Sequence, residues 1–237
     1  MYGWRARIGL LLPSANVVFE PEFSKVLPEG VSAYSARMYN KKADLEDTIG
    51  LERDIERASK ELSSTRPKVI GFCCTSGSLV KGKGWDKEII NRIQKVVNVP
   101  ATTTTTASIK ALSRFKVERV SIVTPYIADL DQKEKEFFEA SGLKVLSIDG
   151  LGIEEAVEIG DVDPSEVYDF AMKKCSGEAD GLFISCTNLR TIEILEVLER
   201  DLKRPVVSAN QATMWDMLRL AGVADVISGY GKLLTTT

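Results

Sequence analysis

Short apolar runs and longer amphipathic stretches alternate along the whole of the 237-residue chain. The runs are RIGLLL, VSAYSAR, KVIGFC, NVPAT, ERVSIVT, LKVLSI, DGLFIS and RPVVSA. Several are apolar at every position, which marks strands buried on both faces; such strands belong to parallel sheet covered by helices. The stretches between them predict helices over 44–64, 85–96, 129–141, 164–174 and 189–202. The expected class is therefore α/β, built on parallel sheet.

The pattern also repeats. Pro13 closes RIGLLL as Pro125 closes RVSIVT, 112 residues on, and the same 112 residues separate Cys74 from Cys186. Further along, VPATTTTTASIKAL matches RPVVSANQATMWDML, with Pro100 and Pro205 only 105 residues apart, so about seven residues have dropped out between. A period of this size predicts two related α/β lobes. Residues 1–112 with 211–237 would form the first lobe and residues 113–210 the second. Ligands of open parallel sheets sit beyond the carboxyl ends of the strands. Two such edges facing one another would place both cysteine turns in one cleft.

Charge narrows the choice of partner. With 31 basic and 34 acidic residues the chain carries −3 and has no basic run, so nucleic acid and membrane surfaces are not expected partners. No apolar stretch reaches the ~18 residues of a membrane span, and MYGWRARIGLLLPS turns polar too soon for a secretory signal. The expected compartment is the cytoplasm. Histidine is absent, which removes Ser-His and Cys-His catalysis and leaves Cys, Asp, Glu, Lys and Tyr to carry protons.

Two of the four cysteines stand out. Cys73 and Cys175 read as small buried hydrophobes: Cys73 points away from Cys74 on an extended strand, and Cys175 closes an apolar helix stripe. Cys74 and Cys186 each end an apolar run and precede small polar residues, TSGS and TN. Successive N–H groups at such a strand-to-helix turn, with Thr and Ser hydroxyls, make a nest for a carboxylate or oxyanion. A nest of this kind is expected to lower the pKa of its thiol below the ~8.5 of a free cysteine.

Six segments carry a family resemblance: GLLLPSANVVFEPEF, CTSGS, PATTTTTASIKAL, VTPYIADLDQKEKEFFEASGLKV, SCTNLRT and SANQATMWDML. In this order they resemble the maleate cis–trans isomerase and arylmalonate decarboxylase branch of the aspartate/glutamate racemase superfamily. The resemblance implies two Rossmann-like lobes about a pseudo-twofold axis, one cysteine from each, no cofactor and no metal. It further implies that Cys74 attacks an activated alkene and that Cys186 gives and removes the proton. Asn16 and Tyr126 match residues that bind substrate carboxylate. Thr75, Ser76 and Thr187, with Ser14 of the PSAN segment, complete the expected substrate-binding set. From the residues alone, Asn16 is equally a cap for the helix that follows it, and Tyr126 equally a core aromatic.

The chain departs from the pattern at Ala156, where isomerases of this kind tend to carry an Asn two residues before EIG. It departs from the decarboxylases at Cys74, where they have glycine. Three functions stay open: an isomerase of a maleate-like cis-enedioate, a decarboxylase or racemase acting on a small carboxylate, and a non-catalytic binder of carboxylates. The partner expected in each case is a small mono- or dicarboxylate. Apolar helix faces leave room for a homo-oligomer.

Overall fold

The computed structural model describes all residues, 1–237. Two four-stranded sheets form, and every strand pair in both is parallel. The first holds β1 (Ala6–Pro13), β2 (Val31–Met38), β3 (Val69–Phe72) and β4 (Ala101–Thr103), in the order β2-β1-β3-β4. The second holds β5 (Arg119–Thr124), β6 (Lys144–Gly150), β7 (Gly181–Ile184) and β8 (Val206–Ser208), in the order β6-β5-β7-β8. The two orders are the same once counted from the start of each half, so the 112-residue repeat is a repeat of topology. In each sheet the order in which strands are added reverses between the first and third strands, and in open parallel sheets the crevice above such a switch point is where a ligand fits.

The helices are α1 (Phe19–Val26), α2 (Leu45–Gly50), α3 (Ile55–Ser63), α4 (Thr75–Leu79), α5 (Trp85–Val97), α6 (Thr104–Arg114), α7 (Ala128–Ala140), α8 (Pro164–Lys174), α9 (Leu195–Leu202) and α10 (Ala209–Leu220). Side chains begin several of them: Asp44 Oδ1 accepts from Asp47 N, Thr103 Oγ1 from Thr106 N, Asp163 Oδ1 from Ser165 N and Ser208 Oγ from Gln211 N. None is long and apolar enough to cross a membrane.

Two expected helices differ. The one predicted over 44–64 is interrupted by a 3-10 turn at Leu51–Asp54. The one predicted over 189–202 starts only at Leu195. The amides of Thr191 and Ile192 are taken by Glu22 of α1, from the other half of the chain, so no helix forms there.

The largest apolar core is shared between the halves. Leu10, Leu12, Phe19 and Phe23 join Val120, Ile122, Phe138 and Phe183, with Met214, Met217 and Leu218 of α10 filling between. Gly71 belongs to this packing: a Cβ there would lie 2.3 Å from Met217 Sδ. The threonine run 102–106 pairs with SANQA in the repeat but lies outside the cleft. It lies in the seam between α6 and α10, where Thr102 donates to Asp216, Thr213 donates to Thr104 and Thr105 donates to Ser78.

Candidate active site

Each functional turn follows one of the two central strands of its sheet. β1 leads into Ser14–Asn16, β3 into Cys74, β5 into Tyr126 and β7 into Cys186. Asn16, Cys74, Ser76, Tyr126, Cys186 and Thr187 line one cavity between the halves, joined by Asn40, Lys42, Asn188 and an apolar group that includes Leu51, Ala156 and Ile159. It is narrow. About 40 Å³ is open to the centres of water molecules, room for a few waters.

The two cysteines sit in unequal backbone settings. Cys74 is extended, with φ −147° and ψ 119°, and its Sγ accepts from Gly77 N at 3.4 Å as the cap of α4. Its Sγ also lies 3.7 Å from Ser76 Oγ. The packing at Gly77 is tight: a Cβ would stand 3.1 Å from Cys74 Sγ and 3.2 Å from Leu51. Cys186 has φ 82°, a left-handed conformation that a non-glycine residue holds only when its surroundings impose it. Its Sγ accepts from Asn188 N at 3.3 Å.

Electrostatics separate the pair further. Burial pushes the Cys74 thiol up, with the Gly77 amide and the Ser76 hydroxyl pulling the other way. The lowered pKa expected from the nest is therefore not found: loss of solvent outweighs two weak donors. Cys186 is pushed up to about 12, chiefly by burial, against the Tyr126 hydroxyl and the Asn188 amide. Tyr126 is raised well above its ordinary value, again first by burial and then by the charges of Cys186, Glu134 and Cys74 around it.

Asn16 caps a helix and also lines the cleft. Its Oδ1 accepts from Val18 N and Phe19 N at the start of α1, and its Nδ2 donates across the cleft to Thr187 Oγ1 at 3.1 Å. Two expected residues are not brought to the cavity wall. Ser14 turns outward and exchanges hydrogen bonds with the backbone of Asn40. The Thr75 hydroxyl is buried without a partner beside the cap of α4. Cys73 and Cys175 stay outside the cavity.

Sequence reasoning missed Asn188 as a separate site residue. Its Oδ1 accepts from Val17 N, and its Nδ2 donates to Ala156 O. Its place beside Thr187 in SCTNLRT was the available signal. It also missed the segment after β2, which crosses the cleft: Ala43 N donates to Glu154 O and Ala156 N to Lys41 O, a short antiparallel bridge between the halves.

The arrangement can bring a thiol from each half to one small molecule, with Asn, Ser, Thr and Tyr donors around it. The chain is similar to known proteins over nearly its whole length. The chain is 25% identical to the maleate isomerase of Pseudomonas putida, covering 97% of both chains. It is 26% identical to the arylmalonate decarboxylase of Bordetella bronchiseptica, covering 95% of both. A cysteine-to-serine variant of the Nocardia farcinica maleate cis-trans isomerase with a covalently bound succinylcysteine intermediate superposes with a TM-score of 0.92, at 25% identity over 97% of this chain and 98% of that one. The family model of arylmalonate decarboxylase matches residues 8–234, nearly the whole of both halves, and the chain is a member of that family.

Proposed function

We propose that the protein is a cofactor-independent isomerase of a maleate-like cis-enedioate, with Cys74 as nucleophile and Cys186 as general acid and base. The observation that carries this reading is the unequal setting of two thiols on one cavity wall. Cys74 Sγ faces the amide end of α4, the better place for a thiolate, whereas Cys186, at about 12, keeps its proton at neutral pH.

The reaction then runs in balanced steps. The Cys74 thiolate forms a C–S bond to one alkene carbon, and the electron pair moves onto the neighbouring carbon and its carboxylate as an enediolate. Cys186 protonates that carbon and becomes a thiolate. The new C–C single bond rotates, Cys186 takes the proton back, and the C–S bond breaks to give the trans isomer and the Cys74 thiolate. Ser76 and Asn16, with the Thr187 amide, are the donors suited to the two carboxylates and to the charge that develops on one of them. The succinylcysteine of the Nocardia farcinica relative supports addition by a cysteine in this fold.

Decarboxylation of an arylmalonate would require only one thiol to return a proton, and would leave Cys74 without a role. The deciding experiment incubates the protein with maleate and reads product and intact mass. Fumarate formation with an adduct on Cys74 supports the proposal. Loss of carbon dioxide from an arylmalonate with no adduct, or carboxylate binding with no turnover, overturns it.

A further inference from the structure

The repeat pairs two glutamates that the proposed chemistry does not use. Glu22 on α1 and Glu134 on α7 are 112 residues apart, the same separation as Cys74 and Cys186, and both are buried. Both attach to the segment around Cys186. Glu134 Oε2 accepts from Ser185 Oγ at 2.9 Å, and its Oε1 has no partner. Glu22 reaches across from the other half: Oε1 accepts from Thr191 N at 2.7 Å and Ile192 N at 3.1 Å, and Oε2 accepts from Asn210 Nδ2 at 2.6 Å. Asn210 in turn donates to Leu189 O. One carboxylate thus fixes three points of the loop that follows Cys186.

That loop needs fixing. Cys186 holds a φ of 82° that its side chain disfavours, and residues 189–194 form no helix or strand of their own. All three partners of Glu22 are donors, so only a group with acceptors on both oxygens satisfies them together. A glutamine would place its amide against an N–H donor on one side or the other. Asn210 could turn its unpartnered Oδ1 to meet that amide only by giving up Leu189. The single donor on Glu134 makes no such demand.

We propose that Glu22 is a positioning residue for Cys186: its carboxylate, supplied by the opposite half of the molecule, holds the loop in the shape that keeps Cys186 at its positive φ and facing Cys74's cavity. The assignment of a task to Cys186 rests on the proposed isomerase reading, whereas the grip on its loop does not, and the test separates the two.

The test is site-resolved alkylation with iodoacetamide at pH 8, read by peptide mass spectrometry for all four cysteines in the wild type, Glu22→Gln, Glu134→Gln and Asn210→Ala. A buried thiol reacts through local opening of its segment, so its rate reports how firmly that segment is held. Glu22→Gln is expected to speed labelling of Cys186 about fivefold or more, the scale of one lost buried hydrogen bond. Asn210→Ala should speed it by about half that factor or more, while Cys74 stays within about twofold in both and Glu134→Gln leaves Cys186 within about twofold. Cys186 labelling at the wild-type rate in Glu22→Gln overturns the proposal, and so does an equal rise at all four cysteines, which is general loosening. Should Glu22→Gln not fold, Asn210→Ala is judged by the same two criteria. In a protein that turns over a cis-enedioate, Glu22→Gln should also lower kcat with little change in KM. Absence of any turnover in the wild type counts against the isomerase reading and leaves the labelling result standing.

Discussion

Asn16 and Thr187, 171 residues apart in the chain, meet across the cleft through a 3.1 Å hydrogen bond, and the Thr187 hydroxyl in turn donates to the carbonyl of Cys73 at 3.0 Å. The chain Asn16–Thr187–Cys73 ties the turn after β1, the turn after β7 and the end of β3 into one unit. Thr187→Val keeps the shape and removes both bonds. It should cost about 1–3 kcal/mol in chemical denaturation, because a buried amide and a buried carbonyl lose their partner. A loss below ~0.5 kcal/mol would mean that the two halves are not held together here.

The two cysteines should fail differently. Cys74→Ser should abolish turnover of a cis-enedioate while leaving carboxylate binding, measured by thermal shift. Cys186→Ser should slow turnover by about 10²–10⁴, the usual contribution of a positioned proton carrier, and should make an adduct on Cys74 easier to trap by mass. Near-normal turnover in both variants would end the two-cysteine mechanism.

Because burial raises the Cys74 thiol, its thiolate is scarce at neutral pH. Its alkylation rate should climb about tenfold per pH unit and show no plateau at or below the ordinary thiol value of 9.0. Bound dicarboxylate should slow the reaction by occupying the same donors. A plateau near pH 7 would show a thiolate that the protein stabilises by itself.

Glu134 is pushed up to about 8 by burial, from an ordinary 4.5. The folded protein therefore keeps a proton that the unfolded chain releases, and stability from this group is complete below pH 4.5 and is lost as pH rises to about 8. Asp131, raised to about 6, acts in the same sense over a lower range. Glu134→Gln should flatten the fall of unfolding free energy between pH 5 and 8, measured by chemical denaturation, a fall of up to ~1.4 kcal/mol per pH unit for one such group. An unchanged slope would mean that Glu134 is ionised in the folded protein.

Gly77→Ala tests the crowding around Cys74. The added Cβ would meet Cys74 Sγ and the Phe72 ring at 3.1 Å and Leu51 at 3.2 Å. Overpacking of this kind costs about 1–3 kcal/mol. The displaced Sγ should also alkylate at a rate different from the wild type, read in the same labelling experiment.

Much of this site was legible in the sequence because it depends on local pattern. The equal spacing of Cys74 and Cys186 at the ends of apolar runs pointed to one cleft, and both cysteines line it. What could not be read depends on contacts between distant segments. Nothing in TNLRTI says that Glu22 will take the amides of Thr191 and Ile192, so the apolar spacing of 189–202 looked like uninterrupted helix. Burial misled in the same way: the donors beside Cys74 are visible in TSGS, but the desolvation that overrides them is a property of the closed fold. The outward direction of Ser14, in the turn after β1, is likewise set by a distant contact, its hydrogen bonds to the backbone of Asn40.

The bridge between Lys42 and Glu155 makes admission to the cleft a matter of populations. Lys42, Ala43 and Ala156 of this bridge line the cavity, so a ligand entering on this side passes while the two backbone hydrogen bonds, Ala43 to Glu154 and Ala156 to Lys41, are parted. At about 0.5–1.5 kcal/mol net for each, those bonds alone hold the parted form to roughly 1–15% of molecules. A ligand would then bind at its collision rate multiplied by that fraction, and its escape would be slowed by the same closure, so the bridge lengthens the stay of whatever the cleft accepts without adding a contact to it.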